Sequence, residues 1–178
     1  MRFHHTKNKG DLGVAQAAAD LVEKGWGILL PMTEHAAFDL VAFREDVFLR
    51  VQVKYRAAVR GVVFAPFKTC WADRHGVHTK PIDRSSIDLF CVYCPDTRAC
   101  YYVDPATVTT TNVYLRIEAT RNNIAKGVNW AKDFTEIPAS VRGIRAGFHP
   151  PLEQGPFVRH SREPRAVYRF SCAHSSAG

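Results

Sequence analysis

The chain has 178 residues, 46% of them apolar, with 24 Lys and Arg against 17 Asp and Glu and a formal net charge of +7. That length suits one domain or one domain plus a tail, and the apolar share is enough to bury a sizeable core. No run approaches the roughly 18 apolar residues that span a bilayer, and no apolar stretch follows the N-terminus. A cytoplasmic protein with reduced thiols and no membrane partner is therefore expected, and the basic balance favours a polyanionic partner, nucleic acid first.

Residues 1–10 are polar and basic. The spacing of Leu12, Ala15, Ala19 and Val22 predicts an amphipathic helix over 11–24. Thr6 or Asn8 is the expected cap and Gly25 the expected stop. An acid in a first turn favours the helix dipole, which gives Asp11 a structural reading. Short apolar runs rich in Val, Phe, Tyr and Leu then predict strands at 26–31, 38–43, 47–55, 61–67, 87–94, 99–103 and 112–117. The stretch 69–86 reads as an exposed loop with His75 and His78 three residues apart. One helical turn or a short helix is expected at Asp104–Val108, with Pro105 first, and a short helix at 122–133.

From 138 onward the texture changes. This segment holds five of the ten prolines, and six arginines against two glutamates, with no periodic apolar pattern. A folded domain over 1–137 and a basic, disordered or loosely docked tail over 138–178 are expected. Five cysteines (70, 91, 94, 100 and 172) include a CxxC at Cys91 and Cys94. Positions three apart on a strand point to opposite faces, so these two thiols read as core residues and not as zinc ligands.

The segment Val47–Arg56 alternates with period two. Val47, Leu49, Val51, Val53 and Tyr55 fall on one face; Phe48, Arg50, Gln52, Lys54 and Arg56 fall on the other. A half-exposed strand accounts for that pattern by itself. Asp39, however, opens the preceding apolar run. A carboxylate there is costly unless it is paired or metal-bound. A hairpin turning at Arg44-Glu-Asp46 brings Asp39 to Gln52 and Lys54. Two such oxygens can hold a hard cation such as Mg2+ with retained waters. Lys54 can orient or deprotonate a water, or stabilise a phosphorane-like transition state.

The order D, twelve residues, Q-x-K resembles the PD-(D/E)XK nuclease superfamily in a Q-x-K variant. Longer pieces resemble its branch related to group I intron homing endonucleases. They are Thr6–Gly13, Pro31–Asp39, Arg50–Arg56, Ile87–Asp96, Leu115–Glu118 and Arg121–Asp133. The resemblance covers about residues 6–137. It implies a restriction-endonuclease-like α/β fold of α-β-β-β-α-β order, a mixed sheet flanked by helices. It also implies Mg2+-dependent (or Mn2+-dependent) DNA cleavage by a homo-oligomer, a dimer or tetramer. By position, Asp39 is the metal aspartate, Gln52 replaces the usual second acid and Lys54 is the catalytic lysine. The family's first-helix glutamate falls at Val14, and Asp11, one turn earlier, is the candidate substitute as ligand and catalytic acid. Lys7, Lys9, Arg50, Arg56, Arg60, Lys68 and Arg121 are the expected DNA contacts. Two readings follow: an active endonuclease, or a nuclease-fold DNA-binding protein whose catalysis is weakened or lost.

Overall fold

The structure, a computed structural model, describes residues 5–33, 35–119 and 127–141. They form one α-helix, α1 (His5–Glu23), and strands β1 (Gly27–Leu29), β2 (Leu40–Arg44), β3 (Val47–Tyr55), β4 (Ala58–Val59) and β5 (Val62–Pro66). There follow β6 (Lys68–Asp73), β7 (Gly76–Pro81), β8 (Leu89–Cys94), β9 (Ala99–Val103) and β10 (Asn112–Arg116). All seven strands expected from the apolar runs are present. None of the described helices is long and apolar enough to cross a membrane.

The helix starts earlier than its apolar stripe suggested. His5 is already helical, so Thr6 and Asn8 lie inside the helix and not at its cap position, and the first turn holds no acid. The dipole reading of Asp11 therefore fails. The C-terminus behaves as expected. Gly25, at φ +80°, donates to Val22 O at 2.9 Å, and Trp26 N donates to Leu21 O at 3.0 Å. This pair of bonds is a Schellman ending, which glycine accommodates without a Cβ penalty.

Five strands make a mixed sheet in the order β1-β2-β3-β8-β9. Only the β3–β8 pair is parallel. Helix α1 covers one face, packing Ala17 and Leu21 on Leu49, Val51, Val53, Leu89 and Cys91. The opposite face, through Phe90, Val92 and Tyr101, packs against Val63, Ala65, Val113 and Leu115 of a small β10-β5-β4 sheet. Strand β8 is thus buried on both sides, which is why it reads as a continuous apolar run. Cys91 joins the helix-side core and Cys94 the other, so the CxxC pair diverges as a strand requires. Cys70, Cys91, Cys94 and Cys100 are free thiols; Cys172 lies outside the described residues.

Several differences from the sequence reading matter. The crossover from β3 to β8 contains strands and a 310 turn (Arg84–Ser86), not the core helix that the α-β-β-β-α-β order implies. The expected loop at 69–86 is mostly a β-ribbon, β6 paired with β7. Asp104–Val108 forms a hydrogen-bonded turn, with Ala106 N donating to Asp104 Oδ1 at 2.8 Å, and not a helix. Of the short helix expected at 122–133, residues 122–126 lie outside the described part, and a 310 turn spans Ala131–Phe134. Val141 is buried in the helix-side core, so the folded part runs past residue 137. The rest of the expected tail, 142–178, lies outside the described residues.

Candidate active site

Strand register builds the site. Leu40 pairs with Val51, so the next step outward sets Asp39 opposite Gln52. Asp39 N donates to Val51 O at 2.9 Å and continues the ladder. Val51 and Val53 point into the helix-side core. Gln52 and Lys54 consequently face the other way, in register with Phe90 and Val92. They sit at the margin of the second core, where the small sheet stops covering the large one.

Asp39 Oδ2 accepts two hydrogen bonds, one from Gln52 Nε2 and one from Val53 N at 2.6 Å. Oδ1 takes part in neither. Gln52 is only 7% exposed, so its amide is held by its surroundings. Burial pushes the Asp39 carboxyl above the usual carboxylate range, opposed by the Val53 amide, the Lys54 charge and Gln52. Burial likewise pushes Lys54 below the ordinary lysine value; Asp39 opposes this and the Arg56 charge adds to it. A carboxylate and an amine, both desolvated and each within the other's field, are what acid–base chemistry needs at one point.

A cleft of about 390 Å3 opens beside Gln52, with His35 and Ala37 on one side and Thr69, Lys80 and Asp83 on the other. Arg56 completes the cationic stripe of β3. Its main-chain N donates to Tyr93 O at 2.9 Å, while its side-chain Nε is buried without a hydrogen-bond partner. A buried donor left unmatched costs roughly 1–3 kcal/mol, which an incoming acceptor would relieve.

Other expected residues fall elsewhere. Asp11 is exposed on α1, and its charge is not among those acting on Asp39 or Lys54. Val14 packs against the helix-side core, across the sheet from Gln52 and Lys54. Asp20, a more distant acid on the same helix, is bound by Tyr102 Oη at 2.5 Å and Lys24 at 3.4 Å. Arg50 is committed to structure. Its Nε and Nη2 grip Asp88 at 2.8 and 2.9 Å, and Nη2 also donates to Ser85 O at 3.0 Å. Arg60, at φ 52°, and Lys68 are exposed at strand ends, and Lys7 and Lys9 are exposed on α1. Arg121 lies outside the described residues. The Tyr101–Tyr102 pair is buried in the core. Periodicity pointed to Arg56 without showing that its side-chain Nε is buried and unmatched. No signal pointed to Thr69 and Lys80, whose strands read as loop.

A family model described as PD-(D/E)XK endonuclease matches residues 4–137. The chain belongs to the PD-(D/E)XK endonuclease family. Among solved structures, this PD-(D/E)XK chain is similar to the bacterial homing endonuclease I-Ssp6803I. The TM-score is 0.57 at 22% identity, over 68% of this chain and 84% of that one. At that identity the likeness speaks for the fold. No curated protein matches the chain. Membership of an endonuclease family makes nuclease hydrolysis the class of chemistry to which this fold belongs, with DNA as the implied substrate.

The donor set also tests the metal that such chemistry implies. Among the described residues no cluster of three His, Cys, Asp or Glu side chains exists. What remains is one carboxylate and the Oε1 of Gln52. That suits a Mg2+ ion that keeps most of its waters and takes further ligands from substrate phosphate, and no ion that needs a full protein cage.

Proposed function

We propose that this PD-(D/E)XK protein is a Mg2+-dependent DNA endonuclease of homing or restriction type, with Asp39, Gln52 and Lys54 as its catalytic residues. The observation that carries the reading is the convergence of a desolvated Asp39, a buried Gln52 and a Lys54 of lowered pKa on one sheet face beside a cleft. Asp39 and Gln52 would hold the cation, Mn2+ being an alternative, after a turn of the Gln52 amide that presents Oε1. When bound, the cation supplies charge neutralisation at the phosphate and lowers the pKa of a coordinated water.

The chain's own residues do the rest. Neutral Lys54 Nζ takes a proton from the attacking water. The water oxygen bonds to phosphorus, the P–O bond to the leaving sugar oxygen breaks, and that oxygen is protonated from solvent. Arg56 faces a non-bridging phosphate oxygen through its unmatched Nε. Lys7, Lys9, Arg60, Lys68 and Arg121 contribute phosphate contacts by charge. Asp11, as a further ligand, would act through water. The protein works in the cytoplasm, and as a homo-oligomer, because cutting both strands of a duplex takes two sites. The homing-type reading draws on the name of the similar solved structure.

Nicking of supercoiled plasmid with Mg2+ tests this. Wild type converts plasmid to open circle, and Lys54→Ala does not; equal conversion by both defeats the catalytic assignment.

A second reading has its own observation. Val14 is packed in the core where the family carries glutamate, which leaves the site one carboxylate poorer. Under that reading the protein binds DNA and turns over slowly or not at all. Binding and cutting separate the two: salt-dependent retention of DNA that survives Asp39→Asn and Lys54→Ala, with no nicking by wild type, supports this reading, and nicking by wild type supports the first.

A further inference from the structure

The β6–β7 ribbon forms a two-stranded sheet of its own, in register over six pairs from Lys68–Pro81 to Asp73–Gly76. Strand β7 is exposed at nearly every position, and Val77 is 76% exposed. An isolated two-stranded ribbon is at best marginally stable in water. Charge indicates what covers it: Lys68, Arg74 and Lys80 stand against Asp73 alone. A two-stranded ribbon also matches the width of the B-DNA major groove.

The ribbon springs from the site. Thr69 and Lys80, which pair across it, line the cleft beside Gln52, and Cys70 lies within the electrostatic reach of Lys54. The tip is shaped for presentation. Asp73 Oδ1 accepts from His75 N at 2.7 Å and contacts His78 Nε2 at 3.0 Å, which fixes the turn. Arg74 Nε donates to His75 Nε2 at 2.9 Å, and that bond does not involve the terminal nitrogens of its fork.

Resting on the endonuclease reading above, we infer that the β6–β7 ribbon lies in the major groove of the substrate duplex, where Arg74 reads base edges. Thr69 and Asp73 are four residues apart, about 13 Å at strand rise. With the reach of the Arg74 side chain, the bases read lie about four to six base pairs from the phosphate in the cleft, at roughly 3.4 Å per pair. A guanine, contacted at O6 and N7, is the preferred base.

The test is selection of bound sequences, in EDTA so that none is cut, from a random-sequence duplex library about three helical turns long, with the full chain as wild type and Arg74→Ala. Wild type enriches one common motif. Arg74→Ala loses about tenfold preference at one or two positions, and 7-deazaguanine there weakens wild type by a similar factor. The same motif with the same affinity from Arg74→Ala, an indifferent 7-deazaguanine, or no enrichment by a wild type that still binds DNA overturns the groove-reading role. A wild type that retains no duplex even at low salt overturns the DNA reading itself.

Discussion

Asp39 and Lys54 sit where burial disfavours the charged form of each. For Asp39 the folded pKa is raised even after the attraction of Lys54. Its contribution to stability is thus present at low pH and lost as pH rises through the folded value. For Lys54 the folded pKa is lowered, so its contribution is present above the ordinary lysine value and lost as pH falls through the folded value. Wherever either group is ionised in the folded chain it costs stability, as buried functional groups often do. Asp39→Asn and Lys54→Met should each raise Tm by a few degrees, on the order of 1 kcal/mol for a chain of this length. Each should also slow nicking about a thousandfold, ~4 kcal/mol of barrier. Calorimetry beside a plasmid assay checks this; a lower Tm for both variants contradicts the burial argument. Arg56 bears on the same lysine, since its charge is one of the causes lowering Lys54. Arg56→Leu should move the rising, acid-side limb of the pH–rate profile, where Lys54 loses its proton, to higher pH. It should also reduce the salt dependence of DNA binding by about one phosphate contact. An unmoved limb would show that the two cations do not interact.

At the scale of elements, β3 organises the site, and two contacts hold it in place. Asp88, at the entry to β8, accepts from Arg50 N at 2.9 Å as well as from its guanidinium, and so locks the parallel β3–β8 register. Asp88→Ala should destabilise by about 2 kcal/mol, with the loss seen in urea unfolding. It should weaken DNA binding far less than Arg56→Leu; the reverse order would return Arg50 to the DNA surface. On the other face Gly13 brings α1 against Tyr55, where an added Cβ would meet Tyr55 Cβ at 3.3 Å and main-chain N at 3.6 Å. Gly13→Val should lift the helix from the strand that carries Lys54, costing about 1–3 kcal/mol, again read by urea unfolding.

Much of this was legible because period-two alternation across Val47–Arg56 assigns faces directly, and the turn at Glu45-Asp46 fixes Asp39 opposite Gln52. The ribbon was not, because Asp73, Arg74, His75 and Gly76 give the segment the composition of a loop while cross-strand pairing makes it sheet. The helix start was missed because its first turns carry no apolar stripe. Arg50 looked like a phosphate contact because its partner, Asp88, lies 38 residues away in sequence.

Across the described residues, a mixed sheet with α1 on one face and a small sheet on the other leaves one polar strip, Asp39–Gln52–Lys54–Arg56, with Gln52 on the wall of a cleft. A formal net charge of +7 draws duplex DNA toward it. The site brings a single carboxylate, so under the proposed mechanism the cation should bind weakly without DNA and more tightly with it. The most direct measurement is nicking of supercoiled plasmid by the full chain across a Mg2+ titration, beside Lys54→Met. The account predicts open-circle product that requires the cation, disappears with EDTA and falls about a thousandfold in the variant. Nicking by wild type and Lys54→Met at equal rates, or nicking that persists in EDTA, would contradict it.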